Sequence, residues 1–170
     1  MTELSANEVI QKFGLVPLPE EGGFYKQTFK DSMKALGDTF SDKNEKRSLS
    51  TCIYYLVTES EFSGLHSVKS TEIFHFYAGD PVRMVQIRHD GKLDEIIIGN
   101  NIAKGEVPQV IVEPYVWQGT KLLPGGSWAL MGCTVSPGFE FEDFINGNRD
   151  ELTEKFPQHR SVIKEFTHHL

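Results

Sequence analysis

The feature that most constrains the fold is a regular succession of short β-strand patterns through the middle of the chain. Segments rich in β-branched and aromatic residues are separated there by turn-forming residues, as at Asp90-Gly91 and Pro124-Gly125-Gly126. An Asp-Gly pair between two such segments is typical of a two-residue β-hairpin. Strands at a spacing of about 8–12 residues predict a β-sandwich or a β-barrel. The predicted strands cover residues 24–29, 48–58, 62–68, 71–78, 82–89, 92–98, 109–113, 118–123 and 127–135.

Helical patterns are confined to the two ends of the chain. Ser5 and Glu8 form a capping-box pattern that opens a short helix, and Gly14 can end it. Near the carboxyl end, residues 148–156 and 160–166 each carry a hydrophobic pair at i, i+4 spacing. We expect these helices to pack on the outside of the β-domain.

The length of 170 residues is that of one domain with a sizeable core. No internal repeat, low-complexity run or interdomain linker is present. We therefore predict a single domain over residues 1–170, with a barrel core at about 22–145 and a helical cap at about 148–168. The polar stretch 31–47 has few hydrophobic anchors and is predicted to form a surface loop.

The charge and hydropathy of the chain disfavour two classes of partner, and its cysteines indicate a reducing compartment. A net charge of −7 disfavours nucleic-acid binding, because contact with the phosphate backbone needs a basic surface. No apolar segment approaches the roughly 20 residues that span a bilayer, and no signal-peptide pattern opens the chain. Cys52 and Cys133 form no Cys-x-x-Cys pair and predict reduced thiols. We therefore expect a cytoplasmic protein without a membrane or nucleic-acid partner.

Residues 64–79 hold the best candidate for a functional site. His66, Glu72 and His75 lie there among aromatic and β-branched residues. Buried polar groups cost free energy unless they are paired. Three such groups in one strand-like stretch therefore indicate a site rather than ordinary surface.

The spacing of His66, Glu72 and Gly79 resembles the first motif of the cupin superfamily. In that motif, His-x-His is followed by three or four residues, a Glu, six residues and a Gly, and Val68 stands here in place of the second His. More narrowly, the chain looks like the cupin-5 family of RmlC-like proteins. The likeness is carried by residues 19–25, 72–80, 117–118 and 132–139, which read PEEGGFY, EIFHFYAGD, WQ and GCTVSPGF.

The resemblance implies a mainly β fold, the cupin double-stranded β-helix or jelly-roll barrel, with short peripheral N- and C-terminal helices. It also implies a small-molecule pocket inside the barrel. Cupins of this kind commonly pair through their sheets, so a homodimer is expected. The resemblance implies no single reaction, since the family has no settled activity.

The metal ligands of typical cupins are incomplete in this sequence. Those proteins supply two His and a Glu from the first motif and a third His from the second. Here Val68 replaces one ligand, and the second-motif region 114–119 contains no His. A catalytic zinc usually has three protein ligands, so we expect no dedicated metal cofactor. A divalent metal, if bound, would be held by His66 and Glu72.

Four residues are candidates for catalysis by proton transfer beside a carbonyl. Gly64-Leu65-His66 resembles the segment that carries the base of metal-free deoxysugar epimerases, so His66 is the candidate base. Glu72 would orient His66, and Tyr25 or Tyr77 would supply the acid. The alternatives are a histidine that only binds the ligand, a structural carboxylate and packing aromatics.

Five further side chains are candidate ligand contacts. Trp117 could stack on a sugar or base, and Lys69 lies at a turn where it could contact a phosphate. Each of the five has the structural alternative of an ordinary core or solvated residue. The set is His75, Lys69, Trp117, Gln118 and Cys133.

The function predicted from the sequence is binding of a small polar ligand, a sugar or nucleotide derivative, inside the barrel. Metal-independent epimerisation or isomerisation is the candidate reaction. Two alternatives stay open: a metal-dependent oxygenase or decarboxylase, and a non-catalytic binding or sensor protein. Stoichiometric bound metal would favour the first alternative, and affinity without turnover would favour the second.

Overall fold

Two antiparallel β-sheets face each other in the computed structural model, which describes residues 4–35 and 47–168. The six-stranded sheet has the order β1-β2-β5-β12-β7-β10, and the five-stranded sheet has the order β13-β6-β11-β8-β9. The strands are β1 (Val16–Pro17), β2 (Phe24–Lys30), β3 (Lys34–Ala35), β4 (Arg47–Ser48), β5 (Thr51–Thr58), β6 (Ser63–Val68), β7 (Thr71–Gly79), β8 (Val82–Ile87), β9 (Leu93–Ile98), β10 (Gln109–Val112), β11 (Trp117–Leu122), β12 (Trp128–Ser136) and β13 (Phe144–Asn146).

The predicted strands are confirmed within a few residues at their ends, and the two facing sheets have the form of a jelly roll. The hairpin between β8 and β9 differs in detail. Arg88 N donates to Lys92 O, so the loop holds three residues, and Gly91 adopts a left-handed φ of +80°. The extra residue accounts for the departure from the predicted two-residue turn.

Two short strands lie at the described ends of the predicted loop 31–47. Strands β3 and β4 pair with each other, with Lys34 opposite Ser48. Residues 36–46, the middle of this predicted loop, lie outside the described part of the chain.

The main hydrophobic core lies between the two sheets. Its largest members include Tyr55, Phe74 and Met131 from the six-stranded sheet and Met84 from the five-stranded sheet, all at most 2% exposed. Burial of each such side chain contributes about 1.5–3 kcal/mol. The strands alternate side chains between this interior and the outer faces of the sheets.

In the described ranges, three α-helices cover the outer faces of the sheets: α1 (Ala6–Phe13), α2 (Arg149–Lys155) and α3 (Arg160–Glu165). The predicted capping box is present, with Ser5 as N-cap and Gly14 in the left-handed C-cap position. Leu152, Ile163 and Phe166 pack against Leu65 on the outside of the five-stranded sheet. No helix in the described ranges is long and apolar enough to cross a membrane.

Candidate functional site

A cavity of about 540 Å³ opens into the barrel beside the inner face of the six-stranded sheet. Tyr25 on β2, Glu72 on β7 and Cys133 on β12 line its sheet wall. Val68 on β6 contributes from the opposite sheet. A pocket of this size is large enough for a small organic ligand. Three phenylalanines, Phe139, Phe141 and Phe144, line it from the segment that follows β12.

Glu72 places a buried carboxyl group in the wall of this cavity. The side chain is 6% exposed, and its two oxygens accept hydrogen bonds from Gln118 Nε2 at 3.1 Å and Cys133 Sγ at 3.7 Å. Burial raises the pKa of Glu72 from 4.5 to about 7, with the Glu21 carboxylate acting in the same direction. A carboxyl group with a pKa near neutrality can both accept and return a proton.

His66 lies behind Glu72 and is 1% exposed. Its Nδ1 is 2.8 Å from the carbonyl oxygen of Gly64, which can only accept, so Nδ1 carries the hydrogen. Its Nε2 then accepts from Gln118 Nε2 at 2.7 Å. The ring also stacks on Phe144, with centroids 5.1 Å apart. These contacts fix the imidazole in one orientation.

The amide of Gln118 joins His66 to Glu72. Its single nitrogen contacts His66 Nε2 and Glu72 Oε2, and each of its two N–H groups can serve one of these acceptors. The amide oxygen is buried and has no hydrogen-bond partner among the described residues. The order His66–Gln118–Glu72 is therefore a fixed chain of side chains that ends at the cavity.

Glu21 brings a second carboxylate to the cavity from the turn before β2. Its Oε1 accepts from Ser63 Oγ at 2.9 Å, and its Oε2 lies 3.9 Å from His66 Nε2. Two glycines with positive φ follow it, and a Cβ at Gly22 would lie 2.3 Å from the backbone oxygen of Phe62. Since only glycine fits there, the turn holds Glu21 in place.

A buried ion pair anchors the aromatic wall of the cavity. Arg47 on β4 donates two hydrogen bonds to Asp143, at 2.6 and 2.9 Å. Asp143 directly precedes Phe144, which stacks on His66. Such two-point pairing between a guanidinium and a carboxylate fixes both position and orientation. The pair therefore holds the segment 139–144 against β4.

Comparison with known proteins identifies the family of this fold. The family described as Cupin_5, Cupin superfamily (DUF985), matches residues 7–146. The chain belongs to this family. The resemblance found in the sequence is thereby confirmed, and with it the jelly-roll fold of the cupins.

Three proteins are similar to this cupin over most of its length. An uncharacterised Saccharomyces cerevisiae protein, YML079W, is 30% identical over an alignment of 143 positions that covers 78% of this chain and 71% of the relative. The structure of a hypothetical protein from Leishmania major has a TM-score of 0.90 and 29% identity, covering 98% of this chain and 100% of its own. Protein SO0799 from Shewanella oneidensis has a TM-score of 0.86 and 28% identity, covering 98% and 99%.

The donor set of this cupin does not fit a divalent metal between His66 and Glu72. The nitrogen of Gln118 lies 2.7 Å from His66 Nε2 and 3.1 Å from Glu72 Oε2, and an amide N–H is a donor rather than a metal ligand. Within the described ranges, no group of three or more His, Cys, Asp or Glu side chains is arranged to hold a metal ion.

The structure brings some of the predicted site residues together and separates others. Tyr25, Glu72 and Cys133 line the cavity. His66 and Gln118 contact Glu72 from behind, directly or through one another. Five of the nine predicted site residues therefore lie in the cavity wall or directly behind it.

The other four predicted residues lie elsewhere. His75 contacts Thr134 and Gln109 on the outer face of the six-stranded sheet, and Tyr77 packs there with its hydroxyl over Gly132. Trp117 packs against the helical cluster outside the five-stranded sheet, and Lys69 lies in the turn between β6 and β7. None of these four is among the residues that line the cavity.

Glu21 and the aromatic wall 139–144 were not predicted as parts of the site. Glu21 belongs to the run PEEGGFY, and Phe139 ends the run GCTVSPGF, so both stood in the blocks that carry the family likeness. Paired glycines after an acidic residue were the available signal for Glu21, because they mark a constrained turn.

Proposed function

We propose that the barrel of this cupin binds a small hydroxylated ligand, a sugar derivative, and that Glu72 exchanges a proton with it beside a carbonyl group. The observation that carries the proposal is a buried carboxyl group in the cavity wall with a pKa of about 7. At neutral pH, both protonation states of such a group are well populated. Glu72 can therefore act first as base and then as acid.

The lining favours a sugar over a nucleotide derivative. Carboxylates accept hydrogen bonds from hydroxyl groups, and aromatic rings pack against the apolar faces of small ligands. Phosphate groups would instead meet like charge, because Glu20, Glu21, Glu72 and Glu140 all line the cavity.

Glu72 rather than His66 takes the role of base in this proposal. Both ring nitrogens of His66 already have partners, at 2.8 and 2.7 Å, and the side chain is 1% exposed. His66 is a positioning residue, because it orients the Gln118 amide that in turn holds Glu72. This arrangement exchanges the roles expected from the sequence.

The proposed proton transfer needs neither an oxidant nor a metal. The Glu72 carboxylate takes a proton from the carbon beside the ligand's carbonyl group, and the electron pair of the broken C–H bond forms the enolate. Tyr25, which lines the same cavity, stabilises the enolate oxygen by donating a hydrogen bond. Return of the proton by Glu72 to the former carbonyl carbon gives the isomer, with the hydroxyl proton passing from one enediol oxygen to the other. Delivery of a proton from water to the opposite face of the enolate gives the epimer, and Glu72 then releases its proton to water.

Hydrogen exchange tests the proposal directly. The protein is incubated in D₂O with a panel of aldoses and ketoses, and loss of the proton beside the carbonyl is followed by NMR. We expect exchange with at least one sugar, at a rate that rises with pH through about 7 as Glu72 ionises. Glu72→Gln should lower this rate at least 100-fold, whereas Glu154→Gln on the exposed face of α2 should not change it.

Three outcomes separate the functional classes. Exchange that is lost in Glu72→Gln supports the epimerase or isomerase. Sugar binding without exchange in the wild type overturns the proton transfer and identifies a binding protein. Exchange that is undiminished in Glu72→Gln overturns the role of Glu72.

A further inference from the structure

The cavity wall carries an excess of negative charge. Four carboxylates line it, and Lys30 is the one basic side chain among its described lining residues. Lys30 Nζ already pairs with Glu140 Oε1 at 2.7 Å, at the exposed end of the cavity. The deeper carboxylates, Glu21 and Glu72, therefore set the charge that a bound ligand meets.

The hydrogen bonds to these two carboxylates come from neutral groups. Ser63 donates to Glu21, and Gln118 and Cys133 donate to Glu72. Neutral donors satisfy lone pairs but do not neutralise an ionised carboxylate, and in a partly enclosed cavity such a charge interacts more strongly than it would in water. Burial is the main cause of the raised pKa of Glu72; His66 acts in the opposite direction, and the Glu21 carboxylate adds to the increase.

Aromatic rings complete the same wall. Tyr25, Phe139 and Phe144 line the cavity, and Phe139 meets Phe141 edge to face with centroids 5.4 Å apart. The faces of aromatic rings attract cations. Carboxylates and ring faces together form a lining that suits an ammonium group and rejects an anion.

We propose that the ligand carries a protonated amine beside its hydroxyl groups, so that its chemical class is an amino sugar. This inference rests on the proposed function, because it names the ligand class of the same cavity. The ammonium group binds between Glu21 and Glu72, and the sugar ring packs against the aromatic wall. The amine supplies the positive charge that the lining lacks.

Four matched sugars test the charge of the ligand. Isothermal titration calorimetry compares D-glucosamine with D-glucose, N-acetyl-D-glucosamine and D-glucose 6-phosphate, at a pH where the free amine is protonated. We expect glucosamine to bind at least tenfold more tightly than glucose and the acetylated sugar, and the phosphate ester to bind least tightly.

The variant Glu21→Gln tests the site of recognition. The amide oxygen can still accept from Ser63 Oγ, so the turn should keep its shape while losing one charge. The preference for glucosamine over glucose should fall to within about threefold. Glu154→Gln, which removes an exposed carboxylate far from the cavity, serves as the matched control.

The outcomes distinguish this inference from the proposed function. Equal affinities for glucose and glucosamine in the wild type overturn the amine while leaving sugar binding in place. Tight binding of glucose 6-phosphate overturns it as well. Absence of binding by all four sugars overturns the sugar class in both proposals. An unchanged amine preference in Glu21→Gln overturns the role of Glu21.

Discussion

Glu72 and His75 lie three residues apart on β7, yet they occupy opposite environments. Glu72 is buried in the cavity wall, where its carboxylate accepts hydrogen bonds from Gln118 and Cys133 inside the barrel. His75 lies half-buried on the outer face, where it contacts Gln109 and Thr134. The two faces of one strand therefore differ in burial, in partners and in charge. The difference shows that closeness in sequence within a strand does not place two residues in one site.

The two tyrosines predicted as acids repeat this contrast. Tyr25 lines the cavity, whereas Tyr77 is 45% exposed and meets Tyr54 edge to face on the outside of the sheet. A glycine at position 132 makes room for the outer ring, since a Cβ there would lie 2.2 Å from the Tyr77 hydroxyl oxygen. The comparison of the inner with the outer face can be tested by matched substitutions.

The largest expected effect is the difference in the free energy of unfolding between variants of the two histidines. His66→Ala should lower the free energy of unfolding by about 3–4 kcal/mol, because it leaves a cavity and deprives Gln118 and the Gly64 carbonyl of buried partners. His75→Ala should cost less than about 1 kcal/mol, because solvent can replace its contacts. Urea denaturation of both variants measures the difference. Equal costs would contradict the contrast between the faces.

The next largest effect is the pH dependence that Glu72 gives to the free energy of unfolding. Its pKa in the folded state, about 7, lies above the ordinary value of 4.5, so the folded state binds this proton more tightly than the unfolded state. The resulting stabilisation is fully present below about pH 4.5 and is lost as the pH rises through about 7. At 1.36 kcal/mol per pH unit it amounts to about 3 kcal/mol.

Urea denaturation between pH 4.5 and 8 measures this contribution in the wild type and in Glu72→Gln. The variant should lack the loss of stability on raising the pH, since an amide does not titrate. Glu113→Gln removes an exposed carboxylate outside the cavity and should keep the wild-type pH dependence. Parallel curves for the wild type and Glu72→Gln would show that Glu72 titrates normally.

The smallest effect separates the two cysteines. Cys133 is buried beside Glu72, and burial raises the pKa of its thiol well above the ordinary value. Cys52 is half-buried on the outer face, near Thr134. Because the thiolate is the reactive form, a thiol reagent at pH 8 should label Cys133 at least tenfold more slowly than Cys52. Single Cys→Ser variants assign the two phases, and a single rate for both thiols would contradict the prediction.

The sequence determined the fold to a large extent because its signals are local. Strand composition, the capping box at Ser5 and Glu8 and the turn glycines each act over a few residues, and they placed the strands and helices nearly correctly. The family motif also identified His66 and Glu72 as neighbours, and Gln118 joined them from the second motif.

Only the tertiary structure decided what these residues do. It placed Gln118 between His66 and Glu72 and brought Glu21 and Phe144 to the site from distant parts of the chain. It also turned His75 and Tyr77 outward. The physical reason is that burial, charge and the identity of hydrogen-bond partners depend on which strands become neighbours across the barrel. Residues separated by 46 positions, such as Glu72 and Gln118, share a hydrogen bond that no local pattern specifies.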